Sequence, residues 1–214
     1  MTYNPAIVKE ESEVAILALG GRVCESLPVI ELTEMRPRDP REVASRALVL
    51  TALVQMSFGA PPKLVRSWLH ASSLADFLSA EERVVVDAAE DPAVSTRNRL
   101  RWNIEALWAA VWAGGLVDDL GPTTPIGDQL ASLLPDLRTQ ESPERFLDSF
   151  SLRPADVLLG TLDLLYRAHW AARDSRLSGS KDCPFNEGTV HERRKLLEWS
   201  LNADVDWDDV DMST

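Results

Sequence analysis

One stretch constrains the fold of this chain more than any other: residues 156–174, which read DVLLGTLDLLYRAHWAARD. At about 100° per residue, its spacing places leucines and alanines on one side of a helix and charged side chains on the other. The apolar side comprises Leu158, Leu162, Leu165, His169 and Ala172. The charged side comprises Asp156, Asp163, Arg167 and Asp174. The pattern predicts an amphipathic helix of about five turns, whose apolar side other parts of the chain must cover.

Capping signals and breakers predict further helices along the chain. The stretches 39–42 (DPRE) and 79–82 (SAEE) are capping boxes, in which side chains at both ends of the first turn satisfy free backbone amides. Glycine pairs and the stretch 59–62 (GAPP) are typical helix ends. Together with the hydrophobic spacing, these signals predict helices over residues 6–19, 39–56, 63–70, 79–89, 96–113, 125–134, 143–150 and 189–201.

We expect one mainly α, compact multi-helix domain over residues 1–214, with about seven to nine helices and little or no sheet. Within it, residues 1–35 are predicted to form an N-terminal helix and then an extended segment that wraps over the surface. That segment contains Pro28 and β-branched residues, but no second strand lies near it to pair with. Residues 202–214 are predicted to form an acidic C-terminal tail.

The charge of the chain limits the partners it can bind. It has 34 acidic and 22 basic side chains, which give a net charge of −12 at pH 7. This charge argues against nucleic acid and against an anionic membrane, because both attract clustered lysines and arginines. It favours a basic protein partner, or simply solubility. The oligomeric state stays open.

Several features predict a cytoplasmic bacterial protein. The two cysteines, Cys24 and Cys183, are too few for a disulfide framework. The first residues lack the basic and then apolar pattern of a signal peptide, and the longest uncharged apolar run, residues 106–117, is too short to span a bilayer. Arginines outnumber lysines eighteen to four, which indicates a GC-rich bacterial genome.

Two polar residues fall where the patterns predict apolar surroundings. His169 lies within the apolar side of the helix described first, and Glu105 lies on a predicted helix that carries tryptophans on two sides. Buried groups of this kind need partners. We expect Glu105 to pair with Arg167 or His169; alternatively, Arg167 pairs with Asp163 at i, i+4 within its own helix. The predicted structural polar network comprises Glu105, Tyr166, Arg167 and His169.

The same residues offer a catalytic alternative. Glu105, Asp163 and His169 could line a cleft between the two long helices, as in a small hydrolase or a metal-dependent enzyme. Against this, the chain has no phosphate-loop, dinucleotide-binding or hydrolase motif, and His191-Glu192 lacks the second histidine of a zinc motif. The sequence therefore predicts no cofactor and no metal site, and it leaves open whether the protein is an enzyme.

The tail and one tryptophan are candidates for contacts with a partner. The tail carries four aspartates in a spacing similar to a calcium loop, but the required glycine and glutamate are missing. These aspartates are Asp204, Asp206, Asp208 and Asp209. We expect Trp207 to anchor the tail in an apolar groove and the carboxylates to face solvent or a basic partner. Trp170, on the charged flank of its helix, is predicted to be partly exposed and is a second interaction candidate.

A series of motifs resembles a known family. The motifs are LPVIE at 27–31, REVASRALVL at 41–50, WL at 68–69, LSAEE at 78–82, RWNIEALWAAVWAGG at 101–115, LDLLYRAHWAARD at 162–174, ERRKLLEW at 192–199 and WDDVD at 207–211. From about residue 20 to the end, the chain resembles the bacterial family called domain of unknown function 4272. The resemblance implies a single all-helical domain, and it implies no activity, cofactor or catalytic residue.

Taken together, the residues favour a non-enzymatic cytoplasmic protein. We expect it to bind another protein through an acidic surface, as an adaptor or an immunity protein does. The small hydrolase or metal-dependent enzyme described above is the alternative.

Overall fold

A computed structural model describes residues 3–214; Met1 and Thr2 lie outside the described part. The described chain folds into nine α-helices with no β-strand, so the prediction of a mainly α single domain is confirmed. The helices are α1 (Pro5–Ala18), α2 (Pro40–Ser57), α3 (Pro62–Ala71), α4 (Ala80–Val86), α5 (Val94–Ala113), α6 (Leu130–Leu133), α7 (Glu144–Ser149), α8 (Ala155–Ser178) and α9 (Glu187–Leu201). None of them is both long and apolar enough to cross a membrane.

Both predicted capping boxes form at the helix starts. The Asp39 carboxylate accepts the amide of Arg41 in α2, and the Glu42 carboxylate accepts the amide of Asp39 in return. Ser79 and Glu82 make the same exchange at the start of α4. Each cap of this kind contributes about 1 kcal/mol of stability. These helix starts are therefore set by local sequence.

The long helices pack in a row, in the order α1, α8, α9, α5, α2 and α3. Helix α9 lies between α5 and α8 and packs closely against both of them. The core fills the spaces between these helices with side chains that are fully buried, among them Leu48, Leu53, Leu107, Leu162 and Leu197. Because α5 and α8 each bury a face against α9, the two helices that carry Glu105 and His169 have another helix between them.

Three helices differ clearly in length from their predictions, and of these α4, predicted over 79–89, ends at Val86. Helix α8 extends to Ser178, where Gly179 ends it in a left-handed conformation (φ 73°). Helix α6 has only four residues instead of the ten predicted over 125–134, and the residues before it form a loop. Pro125 and Gly127 disfavour helix in that stretch.

The segment between α1 and α2 runs along the surface of the helix row. Lys9 Nζ donates to the carbonyl oxygens of Glu25 and Leu27, and the Tyr3 hydroxyl donates to that of Ile30. Within residues 3–214, the one sheet-like pairing is a parallel bridge between Arg36 and Asn202. Side chains therefore hold the first part of this segment, and backbone hydrogen bonds of Arg36 and Arg38 to the end of α9 and the start of the tail hold its last part.

Candidate functional site

Asp163 and Arg167 form a buried ion pair within α8. Arg167 Nε and Nη2 donate to the two Asp163 carboxylate oxygens at 2.8 and 2.7 Å, and each side chain is 1% exposed. Arg167 Nη2 also donates to the Pro28 carbonyl oxygen at 3.1 Å, and its Nη1 lies 3.5 Å from Glu13 Oε1 of α1. The pair therefore joins α8 to α1 and to the extended segment.

This position differs from the sequence prediction, which placed both side chains on a solvent-facing side of the helix. Helix α1 and the segment that follows it cover that side of α8. The i, i+4 pairing itself was one of the two predicted alternatives and is the one that forms.

Glu105 of α5 pairs with Arg193 of α9, which the sequence did not predict as its partner. Arg193 of α9 donates from Nε and Nη2 to Glu105 Oε2 at 2.8 and 2.6 Å, and the Thr189 hydroxyl donates to Oε1 at 3.2 Å. Arg193 is 1% exposed and also donates to the Gly121 carbonyl oxygen. The predicted pairing of Glu105 with Arg167 or His169 is wrong, because α9 separates those residues from α5.

His169 is a buried histidine whose ring contacts α9. Its Nδ1 lies 3.1 Å from Arg194 Nη1, which can only donate, so Nδ1 is the accepting nitrogen of a neutral ring. Burial first, and then the positive charge of Arg194 and the neighbouring His191, lower the pKa of His169 from 6.5 to about 4. The His191 ring packs edge-on at 5.4 Å between centroids. Tyr166 completes the cluster, since Arg194 lies 4.6 Å above its ring.

The three candidate catalytic residues do not share a site. Glu105 faces Arg193, His169 faces Arg194, and Asp163 faces Arg167 on the side of α8 that meets α1. The predicted cleft between the two long helices is absent, because α9 occupies that space. Of the predicted network of four residues, Tyr166 has Arg167 at 6.0 Å and Arg194 at 4.6 Å from its ring centroid, so Tyr166, Arg167 and His169 stay linked and Glu105 lies apart from them. Within residues 3–214, no three His, Cys, Asp or Glu side chains lie close enough to hold a metal ion together.

The tail folds back on the helices instead of extending into solvent. Trp207 is buried, with Arg46 at 4.4 Å and Lys195 at 4.5 Å from its ring centroid, so charged side chains line the site that the sequence predicted as apolar. Asp208 accepts the amide of Glu81 at 3.1 Å, at the start of α4. These contacts make Trp207 and Asp208 part of the folded body.

The other candidate interaction residues differ in exposure. Asp204 is exposed and pairs with the exposed Arg36 at 3.1 Å. Asp206 and Asp209 are exposed on either side of Trp207. Trp170 is half-buried and packs against the core.

A wide apolar groove lies elsewhere, between the end of α2, the middle of α5 and the loop 126–138. Its volume is about 520 Å³. The apolar side chains of its wall are Val54, Ile104, Leu107, Ile126, Leu130 and Leu134. Phe58 stands at its edge with 68% of its surface exposed, and Arg101 lies 5.4 Å above the Phe58 ring. On the loop side, Gln55 donates to the Pro135 carbonyl oxygen, which fixes the loop against α2.

Sequence reasoning missed this groove. The one local signal is Phe58, an aromatic residue that directly precedes the helix-ending stretch 59–62, where a core position is not expected. The rest of the wall comes from residues distant in the chain, and only their packing creates the concavity.

Comparison with known proteins gives a family and no activity. A family model described as "Domain of unknown function (DUF4272)" matches residues 8–210. No curated protein matches the chain, and no solved structure matches it.

Proposed function

The chain belongs to the DUF4272 family, a domain of unknown function. We propose that it is a cytoplasmic bacterial protein that binds a basic, amphipathic segment of another protein in the groove beside Phe58. The proposed role is that of an adaptor or an immunity protein, and it requires no chemical step.

The observation that carries this proposal is the apolar lining of the groove together with the exposed aromatic ring at its edge. Ile104, Ile126 and Leu134 of the wall are partly exposed and Phe58 is 68% exposed, and a partner that covers these side chains gains the hydrophobic free energy of that contact. An exposed aromatic residue at the rim of an apolar concavity is typical of a binding hot spot. Helical segments of partner proteins commonly dock in such grooves through apolar residues on one face.

Charge supports a basic partner. Residues 102–150 supply one helix wall and the loop wall of the groove, and they carry eight acidic and two basic side chains. Asp128 is exposed in the loop wall. Asp136 is neutralised by Arg138, which donates to both of its oxygens. A lysine or arginine beside the apolar face of the partner would complement Asp128, the acidic side chain of the groove wall that Arg138 does not neutralise.

The paired state of the candidate catalytic residues favours binding over the enzymatic alternative. Glu105, Asp163 and His169 each have an arginine partner inside the fold. Glu105 lines a surface pocket of about 240 Å³, but Arg193 and Thr189 donate to its two carboxylate oxygens, so this carboxylate is already bonded within the fold.

The test compares capture by the wild type with capture by two matched variants. Phe58→Asp places a charge at the groove, whereas Leu177→Asp places one at a side chain that is 70% exposed on the distant end of α8. Both positions are exposed, so each variant should fold with little loss of stability. We expect a basic host protein to bind the wild type and Leu177→Asp at low salt, and to bind Phe58→Asp at least about tenfold more weakly.

The captured protein is then purified and titrated directly against the three proteins by calorimetry. Equal affinity for wild type and Phe58→Asp would refute the groove as the binding site. Capture of a metabolite or metal with no protein partner would refute the proposed function and favour the enzymatic alternative.

A further inference from the structure

A second concavity, smaller and more polar, lies away from the groove. Helices α4, α5 and α9 and the tail surround a pocket of about 190 Å³. Lys195 of α9 lines it together with the carboxylates of Glu192 and Asp208 and the amide of Asn103. The indole of Trp207 forms an aromatic wall. The proposed groove function makes no use of this pocket.

Lys195 is distinguished by what surrounds its amine. The Nζ atom lies 4.5 Å from the centroid of the Trp207 ring. Among residues 3–214, no carboxylate approaches this amine within ion-pairing distance, although four line the same pocket. The amine is therefore held in a pocket by packing against a ring and not by an ion pair.

Charged groups from every surrounding element face this amine. Burial lowers the pKa of Lys195, and the positive charge of Arg46 from α2 acts in the same direction. Glu192 of α9, Asp208 of the tail and Glu82 of α4 oppose this effect without cancelling it. Arg99 of α5 also lines the pocket and pairs with the exposed Glu81. A larger fraction of Lys195 is thus in the free amine form than for a solvent-exposed lysine.

We propose that Lys195 is a nucleophilic amine that binds a small hydroxyaldehyde or hydroxyketone as an imine in this pocket. The free amine attacks the carbonyl carbon and forms a carbinolamine, which loses one water to leave the C=N bond. The ammonium form of Lys195 gives its proton to a neighbouring carboxylate. Glu192, one helical turn away in α9, is the carboxylate that can accept it. No oxidant or reductant takes part in this step.

The pocket selects the ligand class by its size and its polar wall. A volume of about 190 Å³ admits a molecule of a few heavy atoms. The carboxylates of Glu192 and Asp208 can accept hydrogen bonds from hydroxyl groups on the carbons next to the carbonyl. An aldehyde without hydroxyl groups cannot make these bonds.

The other three lysines of the chain are internal controls. Lys63 and Lys181 are exposed, and Lys9 donates to two backbone carbonyl oxygens. If reactivity followed exposure alone, Lys63 and Lys181 would react first.

The experiment treats the full chain with glycolaldehyde and sodium cyanoborohydride across pH 6–9 and quantifies the reduced adduct at each lysine by peptide mass spectrometry. We expect Lys195 to carry several-fold more adduct than Lys63 and Lys181 at neutral pH, and the three to converge as pH rises. Propanal should label Lys195 less than glycolaldehyde does. Adduct at Lys195 no greater than at Lys63 and Lys181 at every pH would overturn the proposal.

Two variants extend the test. Lys195→Met should lose the dominant adduct, whereas Lys63→Met should keep it. Should Lys195→Met fail to fold, the comparison among the four wild-type lysines still decides the question.

Discussion

At the scale of single residues, buried arginines connect the helices, and three of the four that are buried within residues 3–214 lie on α8 and α9. Arg167, Arg193 and Arg194 are at most 4% exposed, and each joins α8 or α9 to a second part of the chain. Arg194, for instance, contacts His169 and donates to both the Glu198 carboxylate and the Ser213 carbonyl oxygen. A planar guanidinium with five donors can satisfy several acceptors at once, which a lysine cannot do with the same geometry.

The Glu105–Arg193 pair yields a stability prediction. Glu105→Gln removes the charge that neutralises a buried guanidinium, and we expect a loss of about 3 kcal/mol in the free energy of unfolding, since broken buried pairs typically cost this much. Denaturant unfolding measures the change. Glu81→Gln is the matched control, because its partner Arg99 is exposed, and it should cost less than about 1 kcal/mol. Equal effects of the two substitutions would contradict the structural role of Glu105.

His169 predicts a dependence of stability on pH. Its pKa is about 4 in the folded protein and about 6.5 when unfolded, so the unfolded chain binds one more proton between these values. The contribution of His169 to stability is complete above pH 6.5 and decreases as pH falls towards 4, by at most about 3 kcal/mol.

The measurement is the free energy of unfolding from pH 7.5 to 4 for the wild type and for His169→Gln. Other groups titrate in both proteins, so the difference between the two curves isolates His169. We expect the wild type to lose more stability than the variant over this range. Parallel curves would show that His169 titrates normally in the folded state.

At the scale of elements, the tail acts as part of the packed body. Trp207 lies edge-on to Trp199 of α9 at 5.8 Å between ring centroids and is 6% exposed. Arg38 donates to the carbonyl oxygens of Trp199 and Asn202, which holds the start of the tail. The tail therefore covers the junction of α2, α4 and α9.

This packing predicts the effect of removing one aromatic side chain. Trp207→Ala should lower the free energy of unfolding by about 3 kcal/mol and free residues 203–214 from the body. Hydrogen exchange followed by mass spectrometry would show faster exchange in the tail and at the start of α4. Trp102→Ala, at a side chain that is 45% exposed, is the control and should leave exchange in the tail unchanged. Unaltered tail protection in Trp207→Ala would contradict the anchoring role.

At the scale of the whole molecule, the row of helices separates the proposed binding regions. The groove lies between α2, α5 and the loop 126–138, whereas the Lys195 pocket lies where α4, α5 and α9 meet the tail. The motif at residues 162–174, one of those that resemble the family, lies in neither the groove nor the Lys195 pocket. Its polar residues, Asp163, Tyr166, Arg167 and His169, contact α1, α9 and the extended segment. In this chain, the motif holds neighbouring elements together.

Most of the helices could be predicted from the sequence, because their signals are local, whereas the helix predicted over 125–134 formed only as the four residues of α6. A capping box acts within one turn, and an amphipathic pattern acts along one helix, so α2, α4 and α8 could be placed from their own residues. The burial of His169 was predictable in the same way, from its position on an apolar stripe.

Tertiary packing alone sets which helices are neighbours, and with them the partners of those buried charges that pair between helices. Because α9 packs between α5 and α8, Glu105 pairs with Arg193 and His169 contacts Arg194. Residue spacing along the chain does not predict these two contacts. The groove beside Phe58 and the pocket of Lys195 likewise bring together residues that are far apart in sequence. Such sites depend on long-range packing, whose free energy is summed over the whole core and is not carried by any single segment.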